Sequence, residues 1–127
     1  MKDCVFCNMD KRKEKVMLED NEFIAVLDPA PITKGHTIAI PKRHMTSFFQ
    51  MKPEESTRFY SFIEKVKKKI DSKYKPDGYN IGHNEGKSSG GSIAHLHVHI
   101  IPRYKGDAES PIGGIRNVLG KHMAPAN

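Results

Sequence analysis

The sequence predicts an α+β domain: a mainly antiparallel sheet of about five strands, with one long helix and one or two short ones. Two observations carry that prediction. Strand-like segments recur between turn residues, and hairpin-length connections join the early ones. A single apolar stripe at helical spacing, Phe59, Phe62, Ile63, Val66 and Ile70, follows Pro53. With 127 residues, 37% of them hydrophobic, and no repeat or long linker, the chain has the size of one domain with its own core.

In chain order, residues 8–14 read as a short polar helix. Residues 15–19 and 22–28 read as strands, with Asp20-Asn21 as the turn between them. Pro29 and Pro31 impose an extended loop, because each fixes its own φ and restricts the residue before it. After Gly35, residues 36–40 alternate as a strand that stops at Pro41, and residues 46–51 suit one or two short helical turns. Pro53 suits a first helical position, and Glu54 and Glu55 suit the positive end of the dipole. Lys67, Lys68, Lys69 and Lys73 suit its negative end. Residues 79–83 form a short strand that runs into a loop ending Gly90-Gly91-Ser92. Residues 94–101 form the last strand, which ends at Pro102. Residues 1–106 make the domain proper, and 107–127, with little periodicity, an extended tail of the same unit.

The 21 Lys and Arg residues against 15 Asp and Glu give a net charge of +6, a surplus that attracts polyanions from nucleotides to nucleic acid. The basic runs Lys11-Arg12-Lys13 and Lys67-Lys68-Lys69 have acids close by, however, and no groove-reading module is recognisable. A specific nucleic-acid partner is therefore not expected. No apolar run approaches a membrane span, and the segment from Met1 to Cys7 lacks the apolar stretch of a secretory signal. Two cysteines make no disulfide framework. A cytoplasmic protein is expected.

The most informative segment is His95-Leu96-His97-Val98-His99-Ile100-Ile101. A strand sends alternate side chains to opposite faces, so the histidines line one face and Leu96, Val98 and Ile100 the other. Neighbouring imidazoles then sit about 6.5–7 Å apart along the strand. Core packing, a three-histidine metal centre and nucleophilic catalysis are the open readings. For the last, a neutral imidazole offers one bare nitrogen to phosphorus while the other donates to an acceptor that fixes the tautomer. Neighbouring histidines can donate to phosphate oxygens as charge develops. The loop Gly90-Gly91-Ser92 lets backbone N–H groups approach an anion and adds a hydroxyl. The two-residue spacer between Cys4 and Cys7 suits two thiolates on one tetrahedral ion, with free thiols or a redox disulfide as alternatives.

Six motifs together resemble the histidine triad (HIT) family: the triad itself, Cys4-Val5-Phe6-Cys7, Leu27-Asp28-Pro29, Thr33-Lys34-Gly35-His36-Thr37, Ile40-Pro41-Lys42-Arg43-His44 and Asn80-Ile81-Gly82. The resemblance implies a HIT-like fold and cleavage of purine nucleotide conjugates at the α-phosphate through a nucleotidyl-histidine. Nucleoside phosphoramidates and dinucleoside polyphosphates are the implied substrates. By position, His97 would be the nucleophile, His99 the phosphate-binding proton donor and His36 an accessory histidine. Asn84, Gly91 and Ser92 would meet the phosphate, Asp28 the ribose hydroxyls, and Val5, Phe6, Val26 and Leu27 the purine. The resemblance also implies a structural zinc on Cys4, Cys7, His44 and His95, no catalytic metal, and a twofold homodimer. Gly91 departs from the glutamine that many members carry before the serine. The Gly90-Gly91-Ser92 form resembles the branch that cleaves dinucleoside tetraphosphates by phosphorolysis. A non-catalytic nucleotide-binding regulator is the other reading. His83 and His122 read as ordinary polar residues.

Overall fold

The computed structural model describes residues 2–120. Five strands form one sheet: β1 (Val16–Glu19), β2 (Phe23–Leu27), β3 (Thr37–Pro41), β4 (Gly78–Gly82) and β5 (Val98–Arg103). Their spatial order is β1-β2-β3-β5-β4, and every neighbouring pair is antiparallel. The helix α1 (Pro53–Tyr74) covers one face, so the α+β architecture read from the sequence is the one observed. No helix among the described residues is long and apolar enough to cross a membrane.

The strand pleat divides the core in two. Phe23 and Ala25 of β2, Ala39 of β3, and Val98 and Ile100 of β5 face α1, where they meet Phe59, Phe62, Val66 and Ile70. Ile24, Val26, Ile38 and Ile40 form a second cluster on the opposite face, beneath Phe6 and Met9 of the N-terminal segment. Ile63, the remaining member of the helical stripe, is half-buried at the edge of the first cluster. The β1–β2 turn closes on Asp20, whose carboxylate accepts the N–H groups of Glu22 and Phe23 at 2.8 Å each. Arg58 of α1 grips the Glu22 carboxylate with two hydrogen bonds of 2.6 and 2.9 Å, tying helix to hairpin.

Gly35 sets the entry to β3. Its φ of +87° favours glycine, and a Cβ there would lie 2.8 Å from the Tyr74 ring at the end of α1. No other residue satisfies both conditions.

Several boundaries differ from the sequence reading. Residues 8–14 form turns instead of a helix, because the Asp10 carboxylate and carbonyl capture the N–H groups of Arg12 and Lys13 and close the backbone locally. Residues 46–51 contain a 3-10 turn, Phe48–Gln50, capped by the Ser47 side chain. Pro41 belongs to β3, opposite Phe23 at the end of the ladder where no N–H is required. The last strand begins at Val98, since Leu96 N–H bonds the Met45 carbonyl outside the sheet at 2.7 Å. It also runs past Pro102, which pairs with Tyr79, to Arg103. Beyond it, residues 107–120 include a 3-10 turn at Gly114–Asn117, so this part of the tail is not simply extended. His122 and the rest of the tail lie outside the described residues.

Ile70 is completely buried between helix and sheet. We expect Ile70→Ala to cost about 2–5 kcal/mol, read as a lower urea midpoint with an unchanged slope. Ile63→Ala should cost less, because Ile63 is half-buried.

Candidate active site

The pleat that buries Leu96, Val98 and Ile100 against α1 turns His95, His97 and His99 to the other face of the sheet. Their proton positions follow from their partners. His97 Nδ1 lies 2.9 Å from the carbonyl oxygen of His95. A carbonyl can only accept, so Nδ1 carries the proton and Nε2 keeps its lone pair. His36, immediately before β3, receives the Ile32 N–H on Nδ1 at 3.2 Å. Its proton is therefore on Nε2, which donates to His99 Nδ1 at 2.9 Å. By the same logic His99 carries its own proton on Nε2. One histidine thus presents a bare nitrogen and its neighbour an N–H, with ring centroids 5.1 Å apart.

Burial pushes both His36 and His99 below the ordinary imidazole value. The Asp28 carboxylate, 3.5 Å from His36 and 3.7 Å from His99, opposes that shift without overcoming it. Both rings stay neutral near pH 7, as the proton chain requires.

His97, His99 and Asp28 open onto a cavity of about 420 Å³. Phe6, Val26 and Ile38 contribute to its apolar wall and Val5 stands largely exposed at its mouth; Asp28, Asn84, Ser92, His97 and His99 lie on its polar side, to which the N-terminal segment adds Asp10, Lys13 and Glu14. Phe6 also sets its ring edge-on to His97, 5.0 Å between centroids. Leu27 does not join them. Strand alternation turns it away from the face that carries Val26, and it borders a separate hollow with Pro31 and Gly35.

The glycine loop differs from the sequence reading in its donors. Gly90 N–H bonds the Lys87 carbonyl and Gly91 N–H the Gly86 carbonyl, each at 3.0 Å, so both amides are spent within the loop. A Cβ at Gly91 would lie 2.7 Å from the Gly86 carbonyl oxygen. Gly91 therefore makes the tight return possible without donating to the cavity. Among the described residues, the side chains of Ser92 and Asn84 have no hydrogen-bond partner, which leaves both available at the cavity wall.

Cys4, Cys7, His44 and His95 bring their ligand atoms within 4.8 Å of one another. Cys4 Sγ is 3.1 Å from His95 Nδ1, and Cys7 Sγ is 3.3 Å from His44 Nδ1 and 3.5 Å from His95 Nδ1. Zinc bonds of about 2.3 Å to sulfur and 2.0 Å to nitrogen give tetrahedral edges of about 3.3–3.8 Å, so the set fits that ion. The donor chemistry agrees: His95 Nε2–H donates to the Pro41 carbonyl at 2.8 Å, leaving the Nδ1 lone pair to the sulfurs. Burial, reinforced by the nearby Cys4 sulfur, pushes the Cys7 thiol up, a shift that a cation would reverse.

The three triad histidines do not converge on one point, because His95 turns to the cysteines while His97 bonds its own backbone. Asp28, His36 and His99 do lie within 4.8 Å of one another. The Ile32 N–H on His36 Nδ1 nevertheless puts a proton on the nitrogen that would have to bind a metal, which makes this group a proton chain. Ile38, which alternates with His36 on the same face, also lines the cavity. His83 borders a second cavity and pairs with Glu85 at 2.7 Å, more than an isolated polar residue would do. Ile32 N–H and the Pro41 carbonyl act through backbone, which leaves no mark in residue type.

Fold and site together define a small α+β protein with an imidazole cluster on the open face of a five-stranded sheet. The chain belongs to the HIT family: residues 10–106 match the HIT domain. It is similar to an uncharacterized HIT-like protein of Methanocaldococcus jannaschii, 41% identical over 120 residues and covering 91% of each chain. It is also 40% identical over 93 residues to the AP-4-A phosphorylase of Mycobacterium tuberculosis. That match covers 71% of this chain and 48% of the phosphorylase, so the chain spans about half the length of that relative. Among solved structures, a Zn-bound histidine triad family protein from Mycobacterium smegmatis superposes with a TM-score of 0.76 at 31% identity, covering 86% of this chain and 81% of that one.

The depressed pKa values of His36 and His99 give a pH dependence of stability. Below the free-imidazole value near ~6.5 the unfolded chain binds more protons than the folded one. Stability therefore rises with pH through that window and is lost as pH falls. Urea midpoints measured from pH 5 to 7.5 should climb and level off, and His36→Asn should flatten the climb.

Proposed function

We propose that this chain is a nucleotide hydrolase or transferase acting at the α-phosphate of purine nucleotide conjugates, through a nucleotidyl intermediate on His97. The observation that carries this reading is the His97 tautomer, since its Nδ1 proton is committed to the His95 carbonyl and Nε2 is left bare. The purine would occupy the slot formed by Val5, Phe6 and Val26. Asp28 would take the ribose hydroxyls through Oδ2, because Oδ1 already accepts the Ala30 N–H at 2.8 Å. Asn84, Ser92 and the His99 Nε2–H would hold the phosphate oxygens.

In the first step His97 Nε2 bonds to phosphorus, and the bond to the leaving group breaks with its electron pair. The His99 Nε2–H hydrogen-bonds that group, which takes its proton from solvent, while the His36 Nε2–H supports His99 Nδ1. Water then attacks the phosphorus, the bond to His97 Nε2 breaks, the water's proton passes to solvent, and the nucleoside monophosphate is freed. A structural zinc on Cys4, Cys7, His44 and His95 would anchor the N-terminal turn beside the catalytic segment, and two copies would pair as a homodimer. Phosphorolysis of a dinucleoside tetraphosphate is a second reading, favoured by the likeness to the AP-4-A phosphorylase.

His97→Ala should lower turnover by more than about a thousandfold while keeping nucleotide affinity within a few-fold. Acid quenching of the wild-type reaction with α-labelled substrate should trap label on His97. A fully active His97→Ala variant would remove the nucleophile and leave a nucleotide-binding module. Purified protein should hold about one zinc per chain, and Cys4→Ser should lose it together with thermal stability. Protein prepared without chelators that contains no zinc would overturn that assignment.

A further inference from the structure

Val5 and Phe6, which border the nucleotide cavity, lie in the chain between the two cysteines. The turn that carries them is already closed. The Cys4 carbonyl accepts the Asn8 N–H at 3.2 Å, and the Cys7 N–H donates to Cys4 Sγ at 3.4 Å. Both cysteines are free and half-buried, and their sulfurs lie within 4.8 Å of each other. A separate hollow of about 460 Å³ reaches Cys4 and His44, and shares Val5, Ser92 and Ile93 with the nucleotide cavity. Its charged groups are Lys2 and Asp3, and Cys7 does not line it. Small solutes therefore reach the cluster at Cys4, with Cys7 behind.

We propose that Cys4 and Cys7 form a peroxide-sensing thiol pair, whose oxidation to a disulfide weakens nucleotide binding. Its effect rests on the nucleotide slot and zinc cluster proposed above, whereas its chemistry needs only the two thiols. The Cys4 thiolate attacks hydrogen peroxide: an S–O bond forms, the O–O bond breaks, and hydroxide leaves with the electron pair, giving a sulfenic acid. The Cys7 thiolate then attacks the Cys4 sulfur, so that an S–S bond forms and the S–O bond breaks with loss of a second hydroxide. Two electrons have passed from the sulfurs to the peroxide, and two protons from solvent turn the hydroxides into water. A disulfide needs its sulfurs about 2.05 Å apart, so at least one must leave its place beside His95 Nδ1. The cluster then keeps two imidazoles, too few for a tetrahedral ion. The new ring contains Val5 and Phe6, and the Phe6 ring stands edge-on to His95 and His97 at 5.7 and 5.0 Å. The His95 imidazole keeps only the Pro41 carbonyl as a hydrogen-bond partner, while its own carbonyl holds the His97 Nδ1 proton. Oxidation thus acts on the purine wall and on the peptide that sets the nucleophile.

The test titrates the full-length, metal-containing protein with hydrogen peroxide. Peptide mass mapping follows the disulfide, a chromogenic chelator the released zinc, and calorimetry the affinity for adenosine 5'-monophosphate. A Cys4–Cys7 disulfide should accumulate with release of about one zinc per chain, and nucleotide affinity should fall by about tenfold. Dithiothreitol with added zinc should restore it. Cys7→His keeps a donor for the ion but cannot form the disulfide, so its affinity should survive the same treatment. An equal loss in Cys7→His assigns the effect to another oxidised group and overturns the proposal. So does a pair that never forms the disulfide, or a disulfide that leaves affinity unchanged. If the protein holds no zinc, or Cys7→His does not fold, the wild-type disulfide and affinity still decide. If the reduced protein binds no nucleotide, the proposed function fails. The switch is then judged by the ring-nitrogen NMR shifts of His97, which should move on oxidation; unchanged shifts overturn it.

Discussion

The hydrogen bond from His97 Nδ1 to the carbonyl of His95 joins the two halves of the site through a single residue. The backbone of His95 sets the protonation of His97, while its side chain completes the cluster with Cys4, Cys7 and His44. That imidazole is 1% exposed and locked from behind by the Pro41 carbonyl at the end of β3. Whatever displaces the cysteines therefore shifts the peptide on which the His97 tautomer depends. An N-terminal segment without regular secondary structure owes its definite place to this arrangement, reinforced by Phe6, whose ring meets both His95 and His97 edge-on.

A second dependence runs across the sheet. The Ile32 N–H, His36 and His99 form a one-way line of donors that begins at a backbone amide in the proline loop and ends at the cavity. Such a line works only with neutral rings, and burial supplies that condition. Asp28 sits beside the line and pulls the other way, so its approach must remain loose. Distances of 3.5 and 3.7 Å, with one carboxylate oxygen already engaged by Ala30, keep it so.

The sheet, the long helix and the two-faced distribution of the histidine segment were legible because each is written in residue periodicity. Proline was misleading at Pro41 and Pro102, since a ladder tolerates proline where no N–H is called for. The charged stretch at 8–14 was misleading for another reason: Asp10 competes for the amides that a helix would have used. Within the site, side-chain type pointed to the groups that face the cavity. Backbone donors and acceptors could not be read that way. Gly90 and Gly91 look like anion-binding amides in sequence, and their commitment to Lys87 and Gly86 emerges only from the path of the loop.

The contact between Gly35 and Tyr74 has a consequence for local motion. Tyr74 is the last residue of α1, and Lys75 ends the helix in a left-handed conformation with φ of 53°. Tyr104, just after β5, donates its hydroxyl to the Lys34 carbonyl at 2.5 Å, so three distant parts of the chain meet at the step before His36. Helix ends fray more readily than helix centres, and partial openings expose groups of contacts together. Fraying of this particular helix end would release the ring that backs Gly35 and loosen the approach to His36. In amide exchange, the final turn of α1 and residues 33–36 would then behave as one opening unit, although some forty residues of chain separate them.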